Sequence, residues 1–285
     1  MFTSDTLQNQ TILITGGGSG LGLAMAKKFA DLGANIAICG RTEEKLKNAV
    51  TDIEKGENSS SVRYYVADVR DYERVKEMVG EIVSDFGSME GLVNNAAGNF
   101  LSASEDLSPG GFKVIVDIVL HGSFHCTHAF GNYLIDNKKE GSILNIVTTY
   151  AEDAGSAFVL PSACSKAGVL AMTRSLAYEW AEYSIRLNAI APGPFPTEGA
   201  WSRLLPDKKF EEKFLNKIPA GRYGDEEELA NLAAFLLSGM APYITGECVT
   251  IDGGEKLAAG QFNFIDTLMP RDELKSIFKM MRKKG

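Results

Sequence analysis

The chain has few residues that could staple it or anchor it elsewhere. Its 285 residues include four cysteines, Cys39, Cys126, Cys164 and Cys248, with no CxxC pair among them. That scatter excludes a disulfide framework and reads as reduced thiols, so a cytoplasmic location is expected. No apolar run approaches the roughly 20 residues of a membrane span, so no membrane partner is expected. The start, MFTSDTLQNQ, lacks the apolar core of a signal peptide and the Arg-rich character of a transit peptide; the end, MMRKKG, is not of the peroxisomal type. Positive charge is in deficit, 29 basic residues against 37 acidic, for a net −8. That balance argues against nucleic acid as a partner. It also means that an anionic ligand must be met by local basic residues, because the global field repels it.

What is present is alternation. Apolar runs of strand length at 11–15, 35–39, 62–67, 91–94, 142–147, 185–189 and 247–251 are interleaved with helical periods at 20–32, 71–86, 109–136, 162–183 and 225–238. Several runs are almost unbroken Ile, Val, Leu and Ala, as strands buried on both faces require. The expectation is an α/β protein with a doubly wound parallel sheet (Rossmann). It is read as one dinucleotide-binding domain over 1–285, with a core at 11–254, a substrate loop at 195–221 and a tail at 255–285. Such sheets bind ligands beyond the carboxyl ends of their strands.

After the first strand comes Thr15-Gly16-Gly17-Gly18-Ser19-Gly20-Leu21-Gly22. The spacing is GxxxGxG rather than GxGxxG, but the physics is shared. Glycines let the backbone approach phosphate, and the helix that follows offers free N–H groups and the positive end of its dipole. An ordinary glycine-rich turn is the competing reading; the place between strand one and helix one decides for a pyrophosphate cradle. The second strand ends Ile38-Cys39-Gly40-Arg41, with no acid to accept from a ribose 2′-hydroxyl. Arg41 is placed to meet a 2′-phosphate, so NADPH is expected over NADH. A merely solvated arginine is the alternative. Asp68 fits a partner for the adenine amino group, and Asn94-Asn95-Ala96-Ala97-Gly98 would line the adenine ribose.

The glycine loop, the NNAAG segment, the Pro192-Gly193 turn and the closing Ile251-Asp252-Gly253-Gly254 together resemble the short-chain dehydrogenase/reductase family. That family works through a YxxxK pair. Lys166 has the right place, but Ser162 stands four residues before it. The family's serine after strand five is Thr148 here, and its helix asparagine is His121. Two explanations compete: a degenerate, non-catalytic NADP(H) binder, or a branch that relocates the acid. The segments NNAAGNF, Thr148-Thr149-Tyr150-Ala151-Glu152, 161–166, PGPFPTEGAWSRL and 218–237 are similar to the mitochondrial-type 2,4-dienoyl-CoA reductases.

That resemblance implies Tyr150 and Asn99 as hydrogen-bond donors to the substrate, with Ser162 and Lys166 retained beside them. Lys166 would hold the nicotinamide ribose and supply positive potential. Ser162, following Pro161, reads equally as a helix N-cap. The resemblance further implies cofactor contacts along 192–195 (Pro192, Gly193, Pro194, Phe195), with Arg70, Ser108 and Arg203 meeting an anionic acyl-CoA. Phe100 would pack on the acyl chain, and the assembly would be a homotetramer. Relative to that branch, the loop from Tyr150 to Ser162 is about one residue longer, and His121 replaces an asparagine. Another enoyl-CoA, a 3-ketoacyl-CoA or a small carbonyl is the rival substrate class. The absent YxxxK tyrosine weighs against a ketone, whose reduction needs a proton delivered to oxygen.

His121, His125, Cys126 and His128 share one helix at a spacing that invites zinc. The chemistry above needs no metal, and none is expected. In the tail, Leu274, Ile277, Phe278 and Met281 form one stripe among basic residues. Packing on its own or a partner subunit is the expected use, ahead of a membrane surface.

Overall fold

The computed structural model describes residues 2–56, 60–152, 155–197 and 208–282. Seven parallel strands pair in the order β3-β2-β1-β4-β5-β6-β7. They are β1 (Thr11–Thr15), β2 (Asn35–Gly40), β3 (Val62–Val66), β4 (Gly91–Asn94), β5 (Gly141–Ile146), β6 (Ile185–Pro192) and β7 (Cys248–Ile251). Chain order reverses between β1 and β4, which lie side by side in the sheet. Connections leaving a sheet in opposite directions at such a point open a crevice above the strand ends.

The helices are α1 (Gly20–Asp31), α2 (Glu43–Ile53), α3 (Tyr72–Phe86), α4 (Pro109–Val116), α5 (Gly122–Asp136), α6 (Leu160–Glu179), α7 (Lys208–Leu215), α8 (Glu226–Leu237) and α9 (Arg271–Arg282). Every residue of β1 and of β4 is buried, as a strand covered on both faces must be. One face packs Met25 and Phe29 of α1, Leu46 of α2 and Leu229 and Leu236 of α8 against Ile12, Ile14 and Ile36. The other packs Val75, Met78 and Ile82 of α3 with Phe130 and Leu134 of α5 against Leu13, Leu92 and Ile143. All four cysteines are free thiols; burial pushes Cys39 up to about 12.

Four elements depart from the expectations. Helix α2 lay in a stretch with no expected helix, because only Leu46, Ala49 and Ile53 of its residues are buried and charge dominates the rest. The expected helix 109–136 is two helices joined by a π-turn, Asp117–His121. The connection after β6 carries α7, while 198–207 lie outside the described residues. Helix α6 begins at Leu160 with Val159 as its N-cap, so Ser162 is not the cap. Pro161 does not precede the helix but occupies its first turn, where its missing N–H is no loss, and Ser162 follows inside that turn. In the tail, α9 buries Leu274 and leaves Phe278 and Met281 exposed.

Candidate active site

The loop after β1 is locked to the loop after β4. Thr15 Oγ1 accepts from the backbone N–H of Asn95 at 3.0 Å and of Ala96 at 2.9 Å, and the Asn95 amide donates to Thr15 O at 3.0 Å. Gly16 donates to Cys39 O at 2.9 Å and turns at φ +66°, where a side chain would be strained. A Cβ on Gly22 would sit 2.5 Å from Gly16 O, so the first turn of α1 can approach the loop only as glycine. Gly17, Gly18, Gly20 and Leu21 complete the turn. Ser19 is the N-cap of α1, but its side chain makes no capping bond and no acid stands in the first turn. The leading N–H groups therefore keep their capacity for an anion. This cradle fits a dinucleotide pyrophosphate. Thr197, which the sequence did not single out, is buried with its side chain 3.2 Å from where a Gly20 Cβ would stand. The only signal for it was its place after the Pro192–Phe195 run.

Arg41 follows β2 directly, is exposed, and makes no hydrogen bond or ion pair among the described residues. Asp68 follows β3 and accepts from the Arg70 guanidinium at 2.6 and 3.0 Å and from the Arg70 backbone at 3.1 Å. Those bonds to Arg70 hold its carboxyl below the usual range. Arg70, expected to meet coenzyme A, is exposed and its guanidinium pairs with Asp68. Ser108 is the N-cap of α4 and accepts from Gly111 N–H at 3.1 Å. Phe100 packs against the cluster of Ile115, Val119 and Ala151. Gly193 donates to Ile251 O at 2.9 Å and Pro194 O accepts from Gly224 at 3.1 Å, while Phe195 turns its ring into the core beside Gly224. Arg203 lies outside the described residues.

Tyr150 sits on a single 3-10 turn, Thr149–Ala151, at the carboxyl end of β5. Its hydroxyl is 3.1 Å from Ser162 Oγ on α6. One turn along α6, Lys166 is only 6% exposed and its Nζ donates to Ile146 O in β5. Burial drives the Lys166 ammonium down to about 8. Asn99 Oδ1 accepts from Phe100 N–H at 2.9 Å, which orients the amide and leaves its N–H₂ to donate elsewhere. The Asn99 segment is tied to the Tyr150–Ser162 loop where Ser102 N–H donates to Phe158 O at 2.9 Å. At that bond Phe158 adopts φ +66°, a strained value for an aromatic residue. Thr148 Oγ1, just before the turn, is buried with no hydrogen-bond partner among the described residues.

The three helical histidines take separate partners. His121 meets Asp117 at 3.1 Å, His125 meets Val69 O at 2.9 Å and His128 meets Tyr72 Oη at 2.8 Å. Among the described residues no group of three or more His, Cys, Asp or Glu could hold a metal ion, and no helix is long and apolar enough to cross a membrane.

Comparison with known proteins agrees with this architecture. Residues 16–256 match the family model described as Enoyl-(Acyl carrier protein) reductase. A Bacillus subtilis protein named as a probable 2,4-dienoyl-CoA reductase, (2E)-enoyl-CoA-producing, is 45% identical over 252 residues, covering 88% of this chain and 98% of the relative. A peroxisomal 2,4-dienoyl-CoA reductase of Arabidopsis thaliana, (3E)-enoyl-CoA-producing, is 35% identical over 293 residues, covering 100% of this chain and 95% of the relative. The crystal structure of a short chain dehydrogenase from Bacillus anthracis superposes with a TM-score of 0.78 at 43% identity, covering 86% of this chain and 96% of that one. With the glycine cradle, the parallel sheet and the Ser162–Lys166 helix in place, the chain belongs to the short-chain dehydrogenase/reductase family, nicotinamide-dependent oxidoreductases.

Proposed function

We propose that this chain reduces 2,4-dienoyl-CoA to an enoyl-CoA with NADPH, in the β-oxidation of unsaturated fatty acids. The observation that carries the reading is the Tyr150–Ser162 contact at 3.1 Å: a phenol returned to the site from the loop after β5, where the family's usual tyrosine position holds serine. The names of the relatives support the substrate class.

The nicotinamide cofactor supplies a hydride when bound. The cradle of 16–22 would hold its pyrophosphate, Arg41 its 2′-phosphate, Asp68 and Asn95-Ala96 its adenosine, and Lys166 and 192–195 its nicotinamide end. Hydride addition to the far end of a conjugated thioester sends negative charge to the thioester oxygen, as a dienolate. The proton finally rests on carbon, so the oxygen needs donors only while charge resides there. Tyr150 O–H and Asn99 N–H suit that role. Ser162, hydrogen-bonded to the phenol, fixes its direction. Arg70, Ser108 and Arg203 would meet the coenzyme A, and Phe100 the acyl chain. A homotetramer accompanies this reading, supported by the half-exposed Phe124 on α5, as does one dinucleotide-binding domain with its core at 11–254. A cytoplasmic location rests on the free thiols.

The test is NADPH oxidation with 2,4-dienoyl-CoA, 2-enoyl-CoA and 3-ketoacyl-CoA in parallel. The dienoyl thioester should give the highest kcat/KM; preference for the ketone refutes the assignment, and cofactor binding with no turnover on any of them marks a binder.

Lys166 gives a pH dependence. Burial favours the neutral amine, so below about pH 8 Lys166 is charged and above it the positive potential fades. kcat/KM should therefore fall as pH rises through that region. Arginine stays charged at any working pH, so Lys166→Arg should be slower but lack this alkaline limb. Persistence of the limb in the variant would assign it to another group.

A further inference from the structure

We infer that Glu152 is a positioning residue that aims Tyr150, an inference that rests on the reading of Tyr150 as a donor to substrate oxygen. Tyr150 occupies a turn of only three residues, closed among the described residues by the backbone bond from Ala151 N–H to Thr148 O at 3.0 Å. So short a turn has little rigidity of its own. Its phenol end is steadied by Ser162. Its backbone end is steadied by the next residue, Glu152, whose side chain is only 13% exposed.

The Glu152 carboxylate reaches three elements distant in sequence. Oε2 accepts from Thr250 Oγ1 of β7 at 3.3 Å and from Lys256 Nζ beyond that strand. Oε1 lies 3.8 Å from the Arg174 guanidinium on α6, the helix that also carries Ser162 and Lys166. The Lys256 anchor is itself fixed, because its backbone N–H donates to Asp252 at 2.7 Å. Asp252 in turn lies against Gly193, where a Cβ would come within 2.6 Å of it. The Tyr150 turn is thus referenced to the same closing segment that seats the 192–195 loop. A mostly buried carboxylate without partners is costly, so this set holds one arrangement. Hydrogen-bond donors for an oxyanion must be aimed to within fractions of an ångström, and displacements of about 1 Å cost up to ~10²-fold in rate. Nothing in the local sequence marks Glu152 for this role, since Thr250 and Lys256 lie 98 and 104 residues away.

The experiment is a double-mutant cycle in the full-length protein: Glu152→Gln, Tyr150→Phe and both together. Turnover of dienoyl-CoA at saturating NADPH and NADPH affinity by fluorescence titration are the readouts. Glu152→Gln should lower kcat on the order of 10-fold and leave NADPH affinity within about 2-fold. In the Tyr150→Phe background the same change should cost less than about 2-fold, because the group it aims is gone. Lys256→Met, at the more exposed end of the pair, carries the same cycle should Glu152→Gln fail to fold. Unchanged kcat, or equal losses in both backgrounds, overturns the inference while a slow Tyr150→Phe leaves the donor role standing. A Tyr150→Phe protein with full turnover overturns the donor role, and the aiming role with it.

Discussion

Replacing Tyr150 by phenylalanine should lower kcat for dienoyl-CoA by on the order of 10²–10³, the usual loss when one preorganised donor to a developing oxyanion is removed. The substitution deletes a single oxygen. The ring keeps its place in the turn of Thr149–Ala151, so packing and the backbone are spared. Two secondary effects oppose each other. The Ser162 hydroxyl, mostly buried and 3.1 Å from the phenol, loses a partner, which typically costs about 1–3 kcal/mol if nothing replaces it. In the substrate-free protein that penalty appears in thermal stability. Ser162 is also free to turn toward the substrate oxygen and recover part of the loss, which makes the lower end of the range the safer expectation. NADPH affinity should not move, since the cradle of 16–22 is untouched. Single-turnover measurement with saturating cofactor isolates the chemical step. Undiminished hydride transfer would remove Tyr150 from the mechanism. A ketoreductase would respond to the same change differently, because its product oxygen must receive a proton and not merely a hydrogen bond.

The parts of this molecule visible in its sequence are those with local signals. Buried strands announce themselves as apolar runs, and all seven expected strands are present, differing only at their ends. The glycine cradle was legible because φ +66° at Gly16 and the 2.5 Å approach at Gly22 admit only glycine. Helix α2 was not legible: three buried positions among charged residues give a stripe too thin to outweigh its polarity. The start of α6 was misjudged by two residues because proline stands equally well before a helix and in its first turn. Arg70 and Asp68 were assigned to different ligands, yet residues two apart beyond a strand end can fold onto each other, and here they do. Asn99 and Tyr150 carried no geometric signal by themselves. Only the folded loops, joined at Ser102 and Phe158, bring their segments side by side. The Glu152 anchor illustrates the limit most clearly, since two of its partners, Thr250 and Lys256, lie 98 and 104 residues away.

Replacing Arg41 by alanine should cost NADPH about 10- to 100-fold in kcat/KM and leave NADH nearly unchanged. The range follows from the 1.5–3 kcal/mol typical of a hydrogen bond to a charged group, at about 1.4 kcal/mol per decade. Arg41 is exposed and makes no hydrogen bond or ion pair among the described residues, only a longer-range attraction to Asp68, so the folded state should be little affected. The nearest acid in sequence, Glu43, does not offset this charge: its carboxylate is bound by Lys47 at 2.9 Å and by Tyr64 Oη at 3.1 Å. Those contacts hold the Glu43 carboxyl below its usual range, so it stays an anion paired with Lys47 in the native protein and in the variant alike. Arg41→Lys should recover only part of the NADPH loss, because a single ammonium cannot match two phosphate oxygens with a planar fork. Raising salt should weaken NADPH in the native protein more than in the alanine variant, since the site faces solvent and exposed charge pairs are screened. Equal kcat/KM changes for NADPH and NADH would show that Arg41 does not read the 2′-phosphate. The discrimination would then have to reside in the backbone of the turn after Gly40.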